Sequence, residues 1–174
     1  MHLGNESTFG VYMLRQKQDP GTSAYLILVS SDKLELKILR RYGCRMSKYI
    51  DSQSTGKDKL ECPASSKMIR LIVEYITHHE GKSPDPIQKP LRGFKMNKNV
   101  PSDWDAQWID EIGSHRMNLF RLAKAAENMG IRSLIDLACA KIACLVKGCK
   151  NRDVKRILDV KIKDGTVPEA APNK

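Results

Sequence analysis

The apolar residues change period partway along the chain, and that change excludes both an all-helical and an all-strand fold. From Tyr25 the run AYLILVS is apolar and rich in β-branched residues, SSDK supplies turn chemistry, and Leu34, Leu36 and Ile38 alternate with Glu35 and Lys37. A period of two belongs to a strand, so this stretch predicts a β-hairpin. A basic, weakly helical stretch over 40–50 leads to the polar loop DSQSTGKDK, and 60–62 reads as a third short strand ended by Pro63. Beyond it the period becomes helical. Ile69, Ile72, Val73 and Ile76 fall at i, i+3, i+4 and i+7, behind a cap at Ser65 or Ser66 and ahead of Gly81.

Between Gly81 and Pro101 the prolines Pro84, Pro86 and Pro90 and the cations Lys82, Lys89, Arg92, Lys95 and Lys98 stand against Asp85 alone. This composition predicts a basic connector that does not pack. DWDAQWID then predicts a short helix with Trp104 and Trp108 at i and i+4, a pair suited to anchoring the connector. Ser114 is expected to cap the next helix, whose Leu119, Leu122, Ala126 and Met129 share a stripe and which Gly130 ends. Residues 131–146 predict a second long helix with Ile135, Cys139, Ile142 and Val146 in register, closed by Gly148. A last short helix follows, capped by Asn151, with Asp153 in its first turn and Ile157 and Leu158 as its apolar side. The order is α+β, with two hydrophobic halves that can share one core.

The length of 174 residues allows about one domain. No apolar run approaches the roughly 20 residues of a membrane span, so the expectation is a protein with no membrane partner. The five cysteines, Cys44, Cys62, Cys139, Cys144 and Cys149, form no CxxC pair and no framework. They read as reduced thiols in an intracellular compartment, the last three as small buried hydrophobes. Residues 1–23 close on Asp19, Pro20 and Gly21 and read as an N-terminal extension without a secretory pattern.

Catalytic signatures are missing: there is no GxSxG, no Walker or GxGxxG loop and no HExxH. Adjacent His78 and His79 point about 100° apart on a helix and cannot readily share an ion; imidazoles at a helix C-terminus are the plainer reading. His115 has no nucleophile in a recognisable elbow beside it. The expectation is a non-enzymatic protein with no metal, no cofactor and no small-molecule substrate. Thirty Lys plus Arg against twenty Asp plus Glu give a net charge of +10. The surplus is spread over 33–59, the connector and 147–163, an electrostatic footprint for acidic partners or phosphates at Lys89, Arg92, Lys95 and Lys98, without any base-reading motif.

Several separated blocks then carry a resemblance: YITHHEGKSPDPI, DWDAQWID, LFRLAKAAENMGIRSLIDLACAKIACLVKG and VKRILDV, together with the opening LILVSSDKLELKI. In order and content they resemble the S-phase kinase-associated protein 1 family, adaptors that join F-box proteins to cullin-RING ubiquitin ligases. The resemblance covers about residues 25–163. It implies a BTB/POZ-type α+β domain at 24–82, a connector at 83–102, a helical dimerisation and F-box-binding extension at 103–160, and a tail at 161–174. It also implies a non-catalytic adaptor of the cytoplasm or nucleus. A partner helix of an F-box-like protein would meet Ile131, Leu134, Cys139, Ile142, Val146, Lys147, Ile157 and Leu158, and a cullin would face Asn128 and Met129.

Departures from the family pattern are the inverted charge, Met129 where an aromatic residue is usual, and KIKDGTVPEAAPNK, broken by Pro168 and Pro172, in place of a last partner-gripping helix. They support an alternative expectation: the same fold serving as a structural subunit or assembly factor of a large ribonucleoprotein such as a mitochondrial ribosome, among its subunits and beside its RNA.

Overall fold

The computed structural model of the chain describes residues 23–158. The expected extension, Ser23 excepted, and the tail lie outside them. Strand β1 (Tyr25–Val29) pairs antiparallel with β2 (Glu35–Leu39), with Leu26 opposite Ile38. Alternation decides the buried side: Leu26, Leu28 and Ile38 are sealed inside while Tyr25 and Glu35 face out. The Ser30 hydroxyl closes the turn by accepting from the Leu34 amide at 3.0 Å.

Residues 40–53 are more regular than expected, forming α1 (Arg40–Met46) and α2 (Lys48–Gln53), which takes in the start of the loop. Arg40 holds the remainder of that loop by donating to the carbonyls of Ser54 and Lys57 at 2.9 and 2.6 Å. Strand β3 (Lys59–Glu61) adds in parallel to β1, giving the order β2-β1-β3.

Helix α3 (Ser66–His78) crosses the sheet with Ile69, Ile72, Tyr75 and Ile76 buried. Ser65 stands at the N-cap without a side-chain bond. The cap comes from elsewhere: Asp32, in the hairpin turn, accepts from the Ser66 amide at 2.8 Å and from its hydroxyl. At the other end Gly81 takes φ +73, and its amide donates to the Ile76 carbonyl at 3.1 Å.

The connector packs, contrary to expectation. Met96, within a 3-10 turn (Met96–Lys98), is fully buried, and Ile87, Leu91 and Val100 lean on the core. Asn99 explains how a proline-rich segment stays in place. Its Oδ1 accepts from the amides of Arg92 and Gly93 at 2.7 and 3.1 Å, and its Nδ2 donates to the carbonyls of Gly93 and Lys95 at 2.9 and 3.0 Å. Composition flagged the cations and overlooked this one amide, which replaces the hydrogen bonds that a regular element would supply.

Helix α4 (Asp103–Gly113) begins at Ser102, whose hydroxyl accepts from the Asp105 amide at 3.1 Å. Trp104 and Trp108 pack with ring centroids 5.4 Å apart. The histidine pair meets this helix. His78 stacks on Trp104 at 3.6 Å, and His79 Nε2 lies 2.8 Å from Oδ1 of the buried Asp105. Ser114 ends α4 rather than capping α5 (Arg116–Asn128): its hydroxyl donates to the Glu111 carbonyl at 2.7 Å, and His115 occupies the next N-cap. In α5 the stripe of Leu119, Leu122 and Ala126 is buried as expected, as is Met129 just beyond it. Helices α6 (Arg132–Val146) and α7 (Asn151–Leu158) complete the described chain. One buried cluster runs from Leu26 to Cys144 through both halves.

Candidate partner-binding face

Helix α6 is apolar on more than one side, and packing chooses between them. Leu134, Leu137, Ala138 and Cys144 turn inward against the core. The stripe read from the sequence, Ile135, Cys139, Ile142 and Val146, is real but faces outward: Cys139 is exposed and the other three are half-buried. The expectation that Cys139 is a buried small hydrophobe is thereby corrected, whereas Cys144 is buried and Cys149 half-buried.

Of the eight residues expected to meet a partner helix, six stand on or beside this outward surface. Lys147 follows the stripe at the helix end, and α7, packed against α6, adds half-buried Ile157 and exposed Leu158. Ile131 and Leu134 are corrections, because both are fully buried. Ile131 sits at the N-cap of α6 with its amide bonded to the Ala126 carbonyl at 2.9 Å, and its side chain closes the α5–α6 corner.

Sequence reasoning missed Phe94. It is 63% exposed, the largest exposure among the bulky apolar side chains of the described residues. Its ring lies over Gly148, where a Cβ would come within 3.1 Å of Cε1, and Lys147 Nζ stands 5.5 Å from its centroid. Lys147 also donates to the Leu91 carbonyl at 2.7 Å, and Asn99 Nδ2 donates to Cys144 Sγ at 3.3 Å. Connector and α6 are thus fastened together, and Phe94 extends the apolar stripe past Val146. A lone aromatic residue two positions from Met96 in a polar connector was the available signal. Burial raises the Cys144 thiol above its ordinary pKa, with Lys141 and Asn99 pulling part of the way back. It is a packing group.

Of the pair expected to face a cullin, Asn128 is exposed, its Nδ2 donating to the Pro63 carbonyl at 3.4 Å. Met129 is a correction: it is fully buried. Its carbonyl accepts from the Ser47 hydroxyl at 2.6 Å and the Tyr49 amide at 3.3 Å, so that position fastens α5 to α2. Lys89, Arg92, Lys95 and Lys98 are all exposed. Lys89 lies 3.8 Å from Asp136, and Arg92 donates to Gln88 Oε1 at 3.1 Å. Among the described residues no three His, Cys, Asp or Glu side chains converge as metal ligands, and no helix is long and apolar enough to cross a membrane. The arrangement is a ridge of aliphatic side chains with an aromatic residue at one end and cations beside it, suited to burying a partner's apolar helix face.

No family model matches the chain. Among curated proteins, an S-phase kinase-associated protein 1 homolog of Tetrahymena thermophila is 34% identical over 110 residues, covering 62% of this chain and 64% of the relative's length. The SCF ubiquitin ligase complex protein SKP1b of Dictyostelium discoideum is 25% identical over 140 residues, 77% of this chain and 82% of that protein. The E3 ubiquitin ligase complex SCF subunit sconC of Arthroderma otae is 19% identical over 139 residues, 78% and 82% of the two chains. In agreement with the blocks noted in the sequence, the chain is similar to curated members of the S-phase kinase-associated protein 1 family.

Proposed function

We propose that this protein is a non-catalytic adaptor that receives a helix of an F-box-like protein on the outward face of α6 and α7 and links it to a cullin ubiquitin ligase. The observation that carries the proposal is the incompletely covered stripe Ile135, Cys139, Ile142 and Val146, in which Cys139 is exposed and the others are half-buried. Four apolar or weakly polar positions in helical register on a water-facing side are costly to leave uncovered, and a partner helix removes that cost. The names of the relatives, subunits of SCF ubiquitin ligase complexes, supply the class of partner. The hairpin, the crossing helix α3 and the appended helices support a BTB/POZ-type domain with a helical extension. Asn128, exposed at the end of α5, is the position offered to a cullin. The free thiols support a reducing compartment, cytoplasm or nucleus.

The test is capture of a purified F-box protein by I142D and V146D. Each places a carboxylate in the ridge while leaving the buried stripe untouched, so binding should fall at least tenfold with an unchanged circular dichroism spectrum. Capture equal to that of the parent protein overturns the assignment of this face. N128R should impair cullin capture and spare F-box capture; loss of both, or of neither, removes Asn128 from the cullin side. The connector charge also favours the ribonucleoprotein reading. Purifying the native assembly with and without nuclease separates the two, since only a phosphate-held assembly comes apart.

A further inference from the structure

Two stretches of the chain lack carboxylates: 86–102 and 137–152 contain no Asp or Glu. They are far apart in sequence, and the fold lays them side by side. Lys147 bonds to the Leu91 carbonyl, Asn99 to Cys144 Sγ, and Phe94 covers Gly148. Arg92, Lys95 and Lys98 therefore stand on a loop that Asn99 holds in one shape and that Lys147, at the end of α6, fastens to the helix. Lys141, nearly two turns earlier, is already 2.8 Å from Asp110, so the one-signed patch begins where the apolar stripe ends. Among the described residues no carboxylate lies within ion-pair distance of Arg92, Lys95 or Lys98, and all three are exposed.

Building on the adaptor reading above, we infer that this protein selects F-box-like partners whose docking helix is flanked by an acidic segment, which lies across the loop 91–99 with Phe94 between it and the helix. A cluster of one sign beside a docking ridge raises the association rate of the oppositely charged flank. It also excludes a basic flank by repulsion. The aliphatic ridge beside Phe94 favours an acidic polypeptide over a nucleic acid. A single strand held on the cations stacks a base on an exposed ring but leaves the aliphatic ridge in water, whereas an acidic peptide running on from a docked helix covers Phe94 and the ridge together.

Two probes test the inference: a recombinant F-box segment carrying an Asp/Glu-rich flank, and the same segment with those carboxylates replaced by amides, each titrated against the full chain at low and high salt. The acidic probe should bind roughly tenfold more tightly at low salt, and added salt should erase the difference. R92E/K95E/K98E should cancel or invert the preference, R92Q/K95Q/K98Q should abolish it, and both should bind the amide probe as the parent does, which also reports that they are folded. Equal binding of the two probes by the parent protein, or a preference that survives charge reversal, overturns the inference and leaves the adaptor reading standing. Failure of both probes to bind the parent overturns both. Displacement of the acidic probe by single-stranded RNA at lower concentration than by free acidic peptide overturns the inference in favour of a nucleic-acid surface.

Discussion

Tyr75 is fully buried, with its ring 5.5 Å from Trp108 and 4.6 Å from His79, and its hydroxyl has no hydrogen-bond partner among the described residues. It borders a crevice of about 180 Å³ that Ser133 and Asp136 also line. Burial pushes the phenol pKa well up, and Ser133 offsets a little of that. A buried polar group without a partner lowers stability, so Y75F should leave the unfolding free energy read from urea denaturation unchanged or raise it, by up to about 1 kcal/mol. A loss of that size would instead reveal a bond to Ser133. Asp32 is the opposite case. The Ser30 side chain foremost, and Ser66 after it, draw its pKa from 3.8 down to about 2. The ionised form is the one held in the fold. Its contribution is therefore complete above 3.8 and disappears as the pH falls toward about 2. D32A should be less stable than the parent near neutral pH and equal to it at about pH 2, read from urea unfolding at both. No local pattern announced this cap, because the donor and the carboxylate are 34 positions apart.

At the scale of elements, the connector depends on Asn99 and the α3 terminus on Gly81. N99A leaves the amides of Arg92 and Gly93 without their acceptor and should cost about 2 kcal/mol. N99D keeps that acceptor and loses the two carbonyl contacts, so the amides of Arg92 and Gly93 should exchange with solvent faster in N99A than in N99D. G81A should destabilise by about 1–3 kcal/mol in thermal unfolding, since a Cβ there would come within 2.7 Å of the Tyr42 Cα at φ +73. Most elements were legible from period and terminators: the hairpin, α3 and α5 have one strong repeat each and a glycine or turn at the end, and α6 has a helical period closed by Gly148. The direction α6 faces was not. Leu134, Leu137 and Ala138 make one stripe and Ile135, Cys139 and Ile142 another, and periodicity alone cannot say which of two apolar stripes meets the core. Contacts between distant segments decide that, as they decide the packing of the connector.

For the molecule as a whole, the sheet and the helical half share one core and are tied by polar bonds as well: His79 to Asp105, Ser47 to the Met129 carbonyl, and Lys67 to Asn118 Oδ1 at 3.2 Å. Neither half can open without exposing the other. Unfolding followed by tryptophan fluorescence, which reports on α4, and by far-ultraviolet circular dichroism, which reports on all helices, should give coincident transitions. Separated midpoints would mean two folding units. The proposed function rests in outline on blocks legible in the sequence, whereas the residues of the candidate face needed the fold, because Ile131, Leu134 and Met129, offered to partners by the family resemblance, are interior in space. Cys139 gives that face a chemical signature. It is the one exposed thiol among the described residues, in the middle of the stripe, while burial holds Cys62 up at about 11 and also raises Cys144. A maleimide dye should therefore attach there first. Its rate of attachment turns the unaltered protein into a clock for occupancy, fast when the ridge is bare and slow when a partner sits on it.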